Sequence, residues 1–116
     1  TERNGFEIAV VTGSEKVITD VQSALDLIMA VKYESGTDRI AIDKNAVVEE
    51  FFRLSSGIAG EILQKFINYG VRLAVFGDFT TYMSKPLRDF IRESNRGHDI
   101  FFTDTKQEAV RRLSQR

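Results

Sequence analysis

Three aspartates, Asp43, Asp78 and Asp104, each stand at the end of an apolar run that reads as a strand. In a parallel sheet such ends gather at the carboxyl edge, where α/β folds commonly bind ligands, so the three carboxylates are candidates to hold a magnesium ion. The plainer reading is that aspartate favours turns for local hydrogen-bonding reasons. Ser55 and Ser56 precede Gly57 in the run Leu54-Ser55-Ser56-Gly57-Ile58. A phosphate there would add about −2 charge opposite the positive end of a helix dipole, whereas unmodified serines would cap or kink the helix. Gly57 and Gly60 would let the helix approach a ligand or, more simply, the sheet. The loop from Phe79 to Met83 places Phe79, Tyr82 and Met83 between a strand and a helix, with Phe51 and Phe52 reaching the same edge from another crossover. Such side chains either tuck under the next helix as core or form a surface for a partner or ligand.

Other chemistries lack their residues. His98 is the one histidine and cysteine is absent, which leaves no zinc set, thiol nucleophile or disulfide, and fits a reducing compartment. The sequence contains neither a Gly-x-Ser-x-Gly elbow, a dinucleotide fingerprint nor a Walker motif, so no catalytic residue and no cofactor is assigned. Sixteen basic and seventeen acidic residues give a net charge of −1, spread along the chain, which argues against a nucleic-acid partner. Arg111, Arg112 and Arg116 cluster, but at the end of the final helix, where cations oppose the negative pole of the dipole. No apolar run approaches the roughly 20 residues that span a bilayer, and the opening Thr-Glu-Arg-Asn-Gly carries no signal-peptide core, so a cytoplasmic location is expected.

The elements that must position these residues follow from periodicity. Phe6–Val11 and Lys16–Thr19 read as two short strands of a hairpin about Gly13-Ser14. Val21, Ala24, Leu25, Ile28 and Val31 recur at helical spacing, with Thr19 or Asp20 as cap and Gly36 beyond the end. Arg39–Asp43 predicts a strand covered on both faces. A helical stripe then runs from about Ala46 to Tyr69, either unbroken, in two pieces, or starting at the serines. Val71–Phe76 is a strand, and Ser84 and Pro86 open a helix that stops at Gly97. Ile100–Thr103 is the last strand, and Thr105 with Glu108 has the spacing of a capping box. The order ββαβαβαβα predicts one α/β domain over residues 1–116 with a mostly parallel sheet.

Asp20-Val-Gln-Ser-Ala-Leu-Asp-Leu-Ile28, Ala59-Gly-Glu-Ile-Leu-Gln-Lys-Phe66, Gly77-Asp-Phe79 and Asp89-Phe-Ile-Arg-Glu-Ser-Asn-Arg-Gly97 resemble a small bacterial family, domain of unknown function 4180, over nearly the whole chain. More remotely, the element order resembles STAS domains, shared by anti-sigma-factor antagonists and the cytoplasmic tails of sulfate transporters. There a strand ending in Asp leads to Asp-Ser-Ser/Thr-Gly-Leu at a helix start. Asp43 and Leu54-Ser55-Ser56-Gly57-Ile58 occupy those places, with Leu54 replacing the Asp. The resemblance implies that Ser55 matches the serine phosphorylated by partner kinases. The expectation is a non-enzymatic regulatory or protein-interaction domain, binding a protein partner or small ligand through Asp43, Gly57, Asp78, Phe79, Tyr82 and Met83, with Ser55 and Ser56 as phosphorylation candidates. The alternative is a small-molecule or nucleotide-binding protein, or a metal-dependent enzyme using the three aspartates. Self-association as a homodimer through an edge strand of the amino-terminal hairpin is a third option.

Overall fold

A computed structural model describes residues 1–82 and 84–115. Four strands, β3 (Ala9–Val11), β4 (Arg39–Asp43), β5 (Arg72–Phe76) and β6 (Ile100–Thr103), form a parallel sheet in the order β3-β4-β5-β6. Before it, β1 (Glu2–Arg3) and β2 (Phe6–Glu7) make a small antiparallel hairpin around Asn4 and Gly5, both at positive φ. Register runs Ala41 beside Ala74 beside Phe101 across the three long strands. Side chains alternate across it. Ile40, Ile42, Leu73, Val75, Ile100 and Phe102 point into the larger core, while Ala41, Ala74, Phe76 and Phe101 point into a smaller one.

Four helices cover these faces: α1 (Val21–Ala30), α2 (Ile58–Asn68), α3 (Lys85–Arg96) and α4 (Lys106–Leu113). The strands advance across the sheet without reversing, so crossovers of one hand place every connecting helix on the same side. Accordingly Ala24 and Ile28 of α1, Ile62 and Phe66 of α2, and Leu87 of α3 share the larger core. The other side would be bare without α4, whose Ala109, Val110 and Leu113 close it. Local chemistry fixes the helix starts. Asp20 and Ser23 form a reciprocal capping box, Ser84 accepts from Leu87 N–H, and Thr105 accepts from Glu108 N–H. At its far end α1 widens into a π turn, Val31–Ser35, which Gly36 terminates at φ 63°.

One sequence expectation is corrected and another is decided among its alternatives. Lys16–Thr19 is not the second arm of a hairpin. Ile18 instead makes a parallel bridge to Val47, with Val48 N–H bonding to Ile18 O at 2.8 Å, and the actual hairpin lies earlier, at β1 and β2. Of the three readings of the stripe from Ala46 to Tyr69, the unbroken helix fails and the start at the serines holds, with α2 beginning at Ile58 just after Leu54–Ser56 and Gly57. Three short 3₁₀ turns, Lys44–Ala46, Glu49–Phe52 and Leu54–Ser56, precede α2. Ala46, Val47, Phe51 and Phe52 are buried from these irregular turns, so burial imitated helical periodicity where the backbone is not helical.

Candidate functional site

At the carboxyl edge of the sheet, β4 ends on Asp43, paired in register with Phe76 at the end of β5. Asp43 accepts from Asn45 N–H at 2.8 Å and so opens the turn Lys44–Ala46. Asp78 accepts from the Thr80 hydroxyl at 2.5 Å and from Thr80 N–H at 2.9 Å. The Thr80 hydroxyl, then Thr80 N–H, hold the Asp78 carboxyl below the usual carboxylate range, with the charge of Lys44 adding to them. Asp104 is exposed beyond β6. The structure thus puts the three aspartates at one edge, yet Asp43 and Asp78 each spend an oxygen on their own turn. Among the described residues no group of three or more His, Asp or Glu is placed to hold a metal ion.

What the edge does assemble is a run of rings. Phe51 meets Phe52 edge-on at 5.1 Å, and Phe52 stacks on Tyr82 at 5.4 Å and 28°. Phe79 lies 5.9 Å from Phe52 and 5.8 Å, edge-on, from Phe102 of β6. Such contacts contribute about 0.5–1.5 kcal/mol each beyond area burial. Phe51 and Phe52 are buried, while Phe79 and Tyr82 are half-buried and keep an exposed rim. The inner faces of these two rings thus belong to the core, as the first expectation for this loop has it, and their outer faces are surface. Met83 lies outside the described residues.

Two polar neighbours, which neither spacing nor periodicity marks, hold Tyr82 in place. Its hydroxyl donates to Glu49 Oε1 at 2.8 Å, and Lys44 Nζ sits 4.8 Å from its ring centroid. Burial first, then the hydrogen bond and negative charge of Glu49, push the Tyr82 phenol well above its ordinary pKa. Gly77 lets Lys44 cross the edge, because a Cβ there would fall 2.8 Å from Lys44 Cβ.

Beside the rings lies the turn Leu54–Ser56. Ser55 and Ser56 are exposed, and neither is in mid-helix. The Ser56 hydroxyl lies 2.8 Å from Arg53 O and 3.0 Å from Glu50 O, and accepts weakly from Ile58 N–H at 3.3 Å. It fastens the turn Glu49–Phe52 to the start of α2, whereas the Ser55 hydroxyl takes no part in that fastening. Gly57 at φ 76° supplies the left-handed step into α2, a conformation that L side chains rarely adopt. The expected close approach of Gly57 and Gly60 to the sheet is not seen. Both are exposed, and a Cβ at either would meet nothing within 4 Å.

Fold and edge together define a small α/β domain with an unreversed four-stranded parallel sheet and a serine-bearing turn at a helix entrance. The model of one sequence family, domain of unknown function DUF4180, matches residues 3–113, and the chain belongs to that family. No curated protein matches it significantly. A solved structure from Thermotoga maritima, described as an anti-sigma factor antagonist, is similar over 93% of this chain and 88% of its own, with 14% identity and a TM-score of 0.46.

Proposed function

We propose that residues 1–116 act as one binding domain that engages a protein partner through the carboxyl edge, and that phosphorylation of Ser55 modulates the contact. The observation that carries this reading is the exposure of Ser55 on a turn that leads straight into α2, three residues from the ring of Phe52. Ser56 is the weaker candidate because its hydroxyl already holds the turn. A phosphate on Ser55 would bring about −2 charge to the positive end of the α2 dipole, beside the exposed Arg53. The contact surface consists of that turn with Gly57, the rims of Phe79 and Tyr82, and the carboxylates of Asp43 and Asp78. A regulatory role in a reducing, cytoplasmic setting fits a chain without cysteine.

The topology supports recognition of a surface in preference to a nucleotide-sized ligand. In open parallel sheets the ligand crevice opens where the strand order reverses and successive crossovers diverge to opposite faces. The order β3-β4-β5-β6 has no such reversal, so α1, α2 and α3 lie on one side with no gap between diverging crossovers.

The test compares wild type, Ser55→Asp and Ser55→Ala as baits in quantitative pull-downs from the host, with phosphopeptide mapping of the native protein. Capture of a defined partner should change several-fold between Ser55→Asp and Ser55→Ala. An identical partner set for both, with no phosphate on native Ser55, removes the switch.

A further inference from the structure

The amino edge of the sheet, remote from the Ser55 turn, carries a hollow of about 160 Å³ lined by Arg72, Asn95, Arg96, His98, Phe101 and Arg112 among others. Three arginines and the only histidine face one small space in a protein whose net charge is −1. Two of the guanidinium groups are fixed by neighbours that also line the hollow. Arg112 donates through Nη2 to Asn95 O and lies 4.5 Å above the Phe101 ring, while Arg72 donates through Nη1 to Gln115 O at 2.7 Å. Each bond uses one of five guanidinium N–H groups and leaves the rest available. Arg96 at the end of α3 is exposed and pairs with Glu93 at 3.1 Å. Its pairing is that of a surface ion pair, which is weak and readily exchanged.

A structural explanation covers only part of this cluster. Cations near the carboxyl end of α4 oppose its dipole, which accounts for Arg72 here and for buried Arg39 behind it, both of which donate to the Gln115 carbonyl. The same argument covers Arg96, the cation in the last turn of α3, but not His98, which lines the hollow from the connection to β6, nor the opening of all these groups onto one space. Concentrating fixed like charges in one place costs free energy unless an opposite charge relieves it. Arg72 already depresses the pKa of Arg39, second only to burial.

We infer that this hollow is a binding site for a phosphate group, free or as a small phosphomonoester. A planar guanidinium offers paired N–H groups that match phosphate oxygens, and pre-fixed arginines lose little entropy on binding. The volume is several times what one water requires, enough for a tetrahedral oxyanion.

The experiment titrates the protein with inorganic phosphate at constant ionic strength and follows backbone amide and arginine Nε–H resonances by NMR. Saturable shifts centred on Gly97, His98, Arg72 and Arg112 are expected, with tighter binding of phosphate than of acetate. A parallel titration with glycerol phosphate separates free phosphate from phosphomonoester as the preferred form. Arg96→Gln should weaken binding about tenfold, the loss of one charge-assisted hydrogen bond. Arg112→Gln should do the same. Arg96 is exposed, so its variant keeps the fold and decides the outcome even if Arg112→Gln does not fold. Shifts that match those of added chloride, or phosphate binding to Arg96→Gln as tight as to wild type, overturn the proposal.

Discussion

Gly77 and Asp78 show how much of the candidate edge depends on single atoms. Gly77 combines φ 154° with a position where a Cβ would come within 2.8 Å of Lys44 Cβ, an atom too close to the backbone to swing aside. Gly77→Ala should therefore destabilise the protein by about 1–3 kcal/mol, read as a lower urea midpoint with unchanged slope. It should also displace Lys44 from the Tyr82 ring, and a shift in Tyr82 ring resonances would report this. At Asp78 the folded pKa lies below its unfolded value. Its interactions with Thr80 therefore add stability above the ordinary carboxylate pKa of about 3.9, and that contribution disappears as pH falls through the folded value. Thr80→Val removes the hydroxyl but keeps the N–H, so the carbon-detected titration of Asp78 should move upward, part of the way to the ordinary value. An unmoved titration would mean that the hydroxyl is not the main cause.

Asn95, in the last turn of α3, does for β6 what a neighbouring strand would do. Its side-chain oxygen accepts from Phe102 N–H at 2.8 Å and its amide donates to Phe102 O at 3.0 Å. An exposed edge strand is an aggregation hazard, and this carboxamide seals one such edge at its midpoint. Asn95→Ala should cost about 1–3 kcal/mol, because both backbone groups of Phe102 lose partners in a half-buried place. Faster hydrogen exchange confined to β6, together with increased light scattering on warming, is the expected signature. Elements whose ends are set by short-range chemistry are legible in the sequence. Asp20 with Ser23, Ser84 and Thr105 cap where their spacing says they should. Residues 44–56 were not legible in this way. Val47 is held by a bridge to Ile18 and Phe52 by stacking on Tyr82, partners 29 and 30 residues away, so their apolar spacing reported depth in the core and not backbone shape.

The molecule as a whole depends on α4 to close the second face of its sheet. Arg39, at the start of β4, reaches across and donates to Leu113 O and Gln115 O, which satisfies carbonyls at the end of that helix that have no helical partner. Its guanidinium also sits 3.8 Å over the Phe6 ring, tying the amino-terminal hairpin to the same point. Arg39→Met keeps most of the apolar stem and removes the donors, so it should loosen both chain ends together. Hydrogen exchange should rise in α4 and in residues 2–8, while α2 stays protected. Phe66→Ala, in the larger core, should act differently. Phe66 is fully buried between α2 and the sheet, and its loss should cost about 3–5 kcal/mol and lower the melting temperature of the whole domain in one cooperative step.

The amino-acid sequence alone determined the alternation of strands with helices, the starts of α1, α3 and α4 and the two-sided burial of β4, because these follow from period, capping and hydrophobicity within a few residues. It left open whether Ser55 stands inside a long helix or at the start of one, which the turn Leu54–Ser56 before α2 decides. Only the tertiary structure decided that Asp43 and Asp78 are absorbed by their own turns, that Tyr82 is gripped by Glu49 and Lys44, and that Arg72, Arg96, His98 and Arg112 share a hollow. Those outcomes depend on which distant segments the sheet brings together. A side chain's partners across the fold are set by packing of the whole, which no local pattern of residues encodes.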